Sequence, residues 1–143
     1  MTHQFETLRD ILKSRYSCRA FRPDPVPEGV LAKIVTAAGL APSWCNAQPW
    51  QVTVTRGEET ARFREALLKT FDKEKPAPDM PWPEDYPGVY GERRRKCGYQ
   101  LYAAAGIARD NYAARGEQSM QNFHFFGAPH VAVVHSEARL GPY

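Results

Sequence analysis

Proline placement constrains this chain more than any other feature, and it does so most strongly over residues 41–51, Ala-Pro-Ser-Trp-Cys-Asn-Ala-Gln-Pro-Trp-Gln. Pro42 and Pro49 each fix φ and remove a backbone donor, so the stretch cannot continue a helix and is predicted to form a rigid, ordered loop. Between them stand Ser43, Asn46 and Gln48, which donate or accept hydrogen bonds, beside the flat faces of Trp44 and Trp50. That mixture suits a planar ligand with polar edges. A turn closed by its own Asx and serine hydrogen bonds is the competing reading.

Length and composition limit what surrounds this loop. A chain of 143 residues is a single domain, 1–143, with enough residues to bury a sizeable core. Its 43% hydrophobic and 24% charged content is ordinary for a globular protein, and no stretch reads as a signal peptide or membrane span. A cytoplasmic location with no membrane partner is expected. Cys18, Cys45 and Cys97 lack CxxC spacing and a nearby histidine pair, which supports neither a disulfide framework nor a zinc site. The net charge of +3 is concentrated in Arg93, Arg94, Arg95 and Lys96.

Phe5, Leu8, Ile11 and Leu12 mark one face of an amphipathic helix ending near Ser14. Arg15, Ser17 and Arg19 then alternate, so in extended backbone they project from one side and can converge on a phosphate; solvated arginines beside a helix-ending serine are the alternative. A second helix opens at Pro27, turns Val30, Leu31, Ile34, Val35 and Ala38 inward and stops at Gly39. Trp50, Val52 and Val54 alternate with polar residues in a strand turned by Arg56-Gly57, and a third helix covers about 58–71.

Residues 72–91 carry five prolines among Trp82, Tyr86 and Tyr90, which predicts an irregular loop or lid. A helix is expected from Glu92 through Ala105, with its basic run as a solvated face, and another over about 110–122. An aromatic, proline-marked turn at 123–129 leads into the apolar run His130–His135, predicted to be a central strand. His124, His130 and His135 lack metal spacing and are taken as packed or solvated.

The sequence has no GxGxxG after a strand, no GxxxxGK[ST] and no GxSxG, so Rossmann, P-loop and nucleophile-elbow sites are absent. No catalytic side chain is assigned, and no metal. What remains is an arginine-serine cradle, a polar-aromatic loop and a candidate lid. A nucleic-acid module using Arg93 to Lys96 beside Tyr99 and Tyr102 is the competing class. Four basic residues on one helix are a weak footprint, so no nucleic-acid partner is expected.

Arg15-x-Ser17-x-Arg19-x-Phe21, followed after one helix by Ala41-Pro42-Ser43-x-x-Asn46-x-Gln48-Pro49-Trp50, strongly resembles the nitroreductase family of FMN-dependent oxidoreductases. The Arg93-Arg94-Arg95 run and Asn122-Phe123-x-Phe125-Phe126-Gly127-Ala128-Pro129 are similar to its nitrobenzoate-reductase-like branch. The resemblance implies an α+β, FMN-binding fold, a mostly antiparallel central sheet flanked by helices, in a homodimer with FMN at the subunit interface. It places Arg15, Ser17 and Arg19, with Tyr16 between them, at the FMN phosphate and ribityl chain. Pro42, Ser43, Trp44 and Asn46 would reach the ring system, with Gln48 close by, and Asn122 or its neighbour Gln121 its pyrimidine side.

By the same resemblance NAD(P)H is the electron donor, a nitroaromatic or quinone the acceptor, and the order of events ping-pong, with the chemistry on the flavin rather than on a side chain. The family usually continues beyond the point where this sequence stops. Its C-terminal part, with a long dimer helix and further phosphate contacts, is absent from this chain, so a flavin-binding protein without turnover is the alternative.

Overall fold

A computed structural model describes residues 2–140. Helix α1 is Thr2–Ser14, and α2 is Glu28–Ala38, entered from Pro27 at φ −56°. Gly39 follows in right-handed helical geometry at φ −63°. The helix therefore runs down through single turns at Leu40 and Ala41 until Pro42, which disfavours helical geometry in the residue before it, ends it.

Strand β1 is Gln51–Val54, and α3 is Glu58–Lys73, opening behind Gly57 at φ +53°, a conformation natural to glycine. Helix α4 is Val89–Ala104, a turn earlier than the expected start at Glu92. Gly88, also at φ +53°, makes the break, and the Tyr90 N–H donates to Pro87 O at 3.2 Å. The irregular segment predicted over 72–91 is correspondingly narrowed to 74–88. Helix α5 is Tyr112–Met120, shorter than expected at both ends. The Asn111 side chain accepts the Ala114 N–H at 3.0 Å and fixes its start, and beyond Met120 the chain enters tight turns. Strand β2 is Ala132–His135.

The fold is α+β, with helices around an antiparallel strand pair. β1 and β2 run antiparallel, Gln51 opposite His135 and Val54 opposite Ala132. The apolar run at 130–135 does not form a central strand: among the described residues β2 pairs with β1 alone and all four of its residues are exposed. Val131 stays outside the strand because, although its carbonyl accepts the Thr55 N–H at 2.9 Å, its own N–H turns to the Thr55 side chain. The His130 ring bridges two segments, Nε2 accepting the Val26 N–H at 3.0 Å and Nδ1 lying 3.0 Å from Thr55 O. A carbonyl can only accept, so the ring proton sits on Nδ1. Beside it the Thr60 hydroxyl lies 2.9 Å from Thr55 Oγ1 and 3.0 Å from Pro129 O, and Val131 N–H donates to Thr55 Oγ1 at 3.1 Å. This small polar knot joins the end of β1, the start of α3, the turn before α2 and the entry to β2.

The expected sizeable core does not form within the described residues, where no hydrophobic residue is buried. The chain exposes 12,536 Å², whereas area scaling gives about 7,400 Å² for a compact monomer of its 16.2 kDa mass. Part of the excess lies on helix faces. Ile11, Leu12 and Ile34 are 60%, 61% and 58% exposed, although their spacing is that of core positions. The aromatic segment does not cover them, since Trp82 is itself 74% exposed.

Cross-links between helices are aromatic. Phe63 stacks on Phe125 at 5.4 Å and Phe71 packs on Phe123 at 4.5 Å, holding the 123–126 turn against α3. Arg115 of α5 lies over Tyr102 of α4 at 4.7 Å.

Two glycines of α4 make opposite demands. A Cβ on Gly91 would come within 2.5 Å of Tyr86 O, a backbone atom that cannot swing aside, whereas one on Gly98 would meet nothing within 4 Å. Gly91→Ala is expected to destabilise the protein by about 1–3 kcal/mol through overpacking. Gly98→Ala should stabilise it by about 0.5–1 kcal/mol through helix propensity. Paired thermal melts check both signs, and equal shifts in one direction would contradict this account.

Candidate functional site

Two segments carry the polar groups marked in the sequence. The first is the arm Arg15–Arg22, which leaves α1 without regular structure and lies almost wholly exposed. The Arg15 and Arg19 guanidiniums are available for an anion, whereas Arg22 pairs with Asp24. The ion pairs among the described residues involve Arg9, Arg22, Arg56, Arg62, Lys69 and Arg139, and neither Arg15 nor Arg19 takes part. Arg19 Nη1 donates only to Ser17 O, at 3.4 Å, and Tyr16 is 75% exposed beside them. The arm is pinned further along the chain, where the Phe21 N–H donates to Phe126 O at 3.1 Å.

That pin sets the arm against the aromatic turn bearing Asn122. Phe125 and Phe126 both take positive φ, 56° and 52°, a strained conformation for bulky residues that the ring packing on α3 and the Phe21 hydrogen bond sustain. Asn122 is anchored by its Nδ2, which donates to Ser119 O at 2.8 Å, leaving its Oδ1 as the accepting atom. Gln121 instead lines a cavity of about 620 Å³ with Arg64 and His124. Neither the arm nor the 41–51 loop contributes to that larger cavity.

The second segment is the 41–51 loop, a short 3₁₀ turn at Trp44–Asn46 between irregular ends. Cys45, Asn46 and Gln48 all sit at positive φ, 50°, 54° and 45°. Asparagine tolerates this region, but the other two each cost about 1–2 kcal/mol, so something must hold them. The loop's own side chains do so. The Gln48 N–H donates to Ser43 Oγ at 2.8 Å, Gln48 Nε2 donates to Ala41 O at 3.2 Å and to Asn46 Oδ1 at 2.9 Å, and the Trp50 indole donates to Gln48 Oε1 at 2.8 Å. The loop is closed by its own hydrogen bonds, as the competing reading expected, and it also borders a cavity. Pro42, Ser43, Trp44 and Trp50, with Leu140, line a mainly apolar cavity of about 540 Å³.

The structure thus gathers Ser43, Asn46 and Gln48 into one network and Pro42 and Trp44 into the adjoining cavity. Arg15, Ser17 and Arg19 stand on their own arm, joined to the Asn122 turn rather than to the loop. The spacing Asn46-x-Gln48-x-Trp50 was a visible sign of the network that sequence reasoning left unused. Among the described residues no group of three or more His, Cys, Asp or Glu side chains converges to hold a metal, and no helix is long and apolar enough to cross a membrane.

The Nitroreductase family profile matches residues 12–142, nearly the whole chain. The chain belongs to the nitroreductase family. Among its nitroreductase relatives, nitroreductase NfnB of Mycolicibacterium smegmatis is 42% identical over 135 residues, covering 91% of this chain and 58% of the relative. The 4-nitrobenzoate reductase of Pseudomonas putida is 32% identical over 133 residues, covering 93% and 59%. In three dimensions the chain superposes on the FMN-dependent NfnB from Mycobacterium smegmatis in complex with NADPH with a TM-score of 0.85 at 39% identity, across 96% of this chain and 64% of that one. This nitroreductase chain therefore spans somewhat under two thirds of each of these relatives.

Proposed function

We propose that this chain serves an FMN-dependent oxidoreductase that takes electrons from NAD(P)H and delivers them to nitroaromatic or quinone acceptors in a ping-pong order. The observation that carries the reading is the arm: two guanidiniums without carboxylate partners beside Ser17 suit a phosphate, in a chain whose family fold is shared with an FMN-dependent enzyme. FMN, when bound, supplies the electron transfer between nicotinamide and acceptor.

The chain's own residues bind and orient. Arg15 and Arg19 neutralise the phosphate and, with Ser17 and Tyr16, fix the ribityl end. Ser43 and Asn46 address the polar rim of the ring, Pro42 and Trp44 offer its flat wall, Gln48 holds that loop in shape, and Asn122 offers Oδ1 to a donor on the ring's pyrimidine side. No general acid or base is required of the protein, which accords with the absence of such a constellation in the sequence.

The exposed helix faces favour a homodimer in which a second copy covers them. A single nitroreductase-like domain with residues 74–88 as a mobile cover over the site, in the cytoplasm, completes the reading.

The purified protein is expected to show flavin absorbance near the usual visible bands, and anaerobic NAD(P)H should bleach it, with colour returning on addition of a nitroaromatic. A colourless protein that takes up no added FMN would overturn the proposal. Flavin that binds but is not bleached would favour a flavin-holding role without turnover.

A further inference from the structure

The direction of the side-chain amide hydrogen bonds in the 41–51 loop follows from one group. The Trp50 indole N–H can only donate, so the Gln48 atom 2.8 Å from it is Oε1. The other end of that amide is then Nε2, a donor, and both its hydrogens are engaged, on Ala41 O and on Asn46. A donor facing Asn46 requires Oδ1 on the near side, which turns Asn46 Nδ2 outward. In parallel, Ser43 Oγ accepts the Gln48 N–H and keeps its own proton to give away. Ser43, which lines the loop's cavity, and Asn46 in the adjoining network are thereby set as donors before any ligand arrives.

We propose that Gln48 is a positioning residue whose side-chain amide relays the polarity of the Trp50 indole to Asn46, while its backbone N–H separately sets Ser43, so that the loop accepts only a ring edge made of hydrogen-bond acceptors. Oxidised FMN has such an edge in its ring nitrogens and carbonyl oxygens. The proposal rests on the flavin reading for its ligand but not for the relay itself. Gln48 touches no ligand in this scheme, because both its amide hydrogens are consumed within the loop.

Near-isosteric variants separate the relay from simple packing. Gln48→Glu keeps an acceptor for the indole but places an oxygen against Asn46 Oδ1, which forces the Asn46 amide to rotate. Asn46→Asp keeps the inward acceptor and replaces the outward donor. Side-chain amide and indole resonances of 15N-labelled protein without flavin report the relay directly. In the parent protein the Gln48 amide protons are expected to exchange with water more slowly than those of Asn46, and Gln48→Glu should slow the Asn46 pair. Fast exchange at Gln48, or an indole resonance that does not move in Gln48→Leu, would overturn the relay.

FMN titrations of the same proteins test its consequence. Gln48→Glu and Asn46→Asp should each weaken binding at least tenfold, and an affinity within twofold of the parent for both would overturn the claim that polarity selects the ligand. A parent protein that binds no FMN would count against the flavin reading and against this ligand, while the exchange measurements would still decide the relay.

Discussion

With Arg15 and Arg19 both replaced by alanine, FMN affinity is expected to fall by about 3–6 kcal/mol, each charge-assisted contact contributing about 1.5–3 kcal/mol. That corresponds to roughly 10²–10⁴-fold in the dissociation constant. Arg19→Ala alone should account for about half of it. The arrangement makes the result easy to interpret. Neither guanidinium is paired with a carboxylate, so truncation strands no buried acid whose cost would be mistaken for lost ligand contact. Fluorescence titration of FMN at two ionic strengths is the appropriate measurement, because the phosphate contribution should shrink as salt rises. Unchanged affinity in the double variant would remove the phosphate from this arm.

Dilution should produce the second large effect. A chain whose described residues bury no hydrophobic side chain and which exposes 12,536 Å² lacks the burial that offsets chain entropy, so its folded form is expected to exist only as an assembly. For a two-state dimer each tenfold dilution then removes about 1.4 kcal/mol of apparent stability. Thermal melts followed by circular dichroism across a hundredfold range of protein concentration should shift together with the dimer fraction from sedimentation. A monomer that melts cooperatively at one temperature at all concentrations would refute the dimer.

Legibility from sequence followed the range of the interaction. Helices α1, α2 and α3 were visible because their apolar residues recur at helical spacing whether or not anything covers them, as Ile34 at 58% exposure shows. Both strands were placed to within two residues by alternation or by an apolar run. The rank of β2 in the sheet was not legible, because a run of Val and Ala carries no record of how many neighbours it has. Boundaries failed where one residue's backbone decided: Gly88 at φ +53° starts α4 before the basic run, and no periodicity signals a positive φ.

The site divides in the same way. Residue types at Ser43, Asn46 and Gln48 announced a polar loop, but only their mutual directions show that Gln48 spends its amide on its neighbours. The Thr55–Thr60–His130 knot was not foreseen, since His130 was taken only as packed or solvated and lies 75 residues from Thr55, and none of the three belongs to a motif.

That knot has a bearing on the order in which the protein can be assembled. The Val26 N–H reaches His130 Nε2 across 104 residues, and the Phe21 N–H reaches Phe126. The arm that carries Arg15 and Arg19 is thus held only once residues more than 100 positions further along the chain are in place. Closing such long loops is slow compared with winding helices. Until Phe126 and His130 have emerged from the ribosome, Arg15 and Arg19 ride on an untethered stretch of chain, and the phosphate seat proposed for them cannot be preformed.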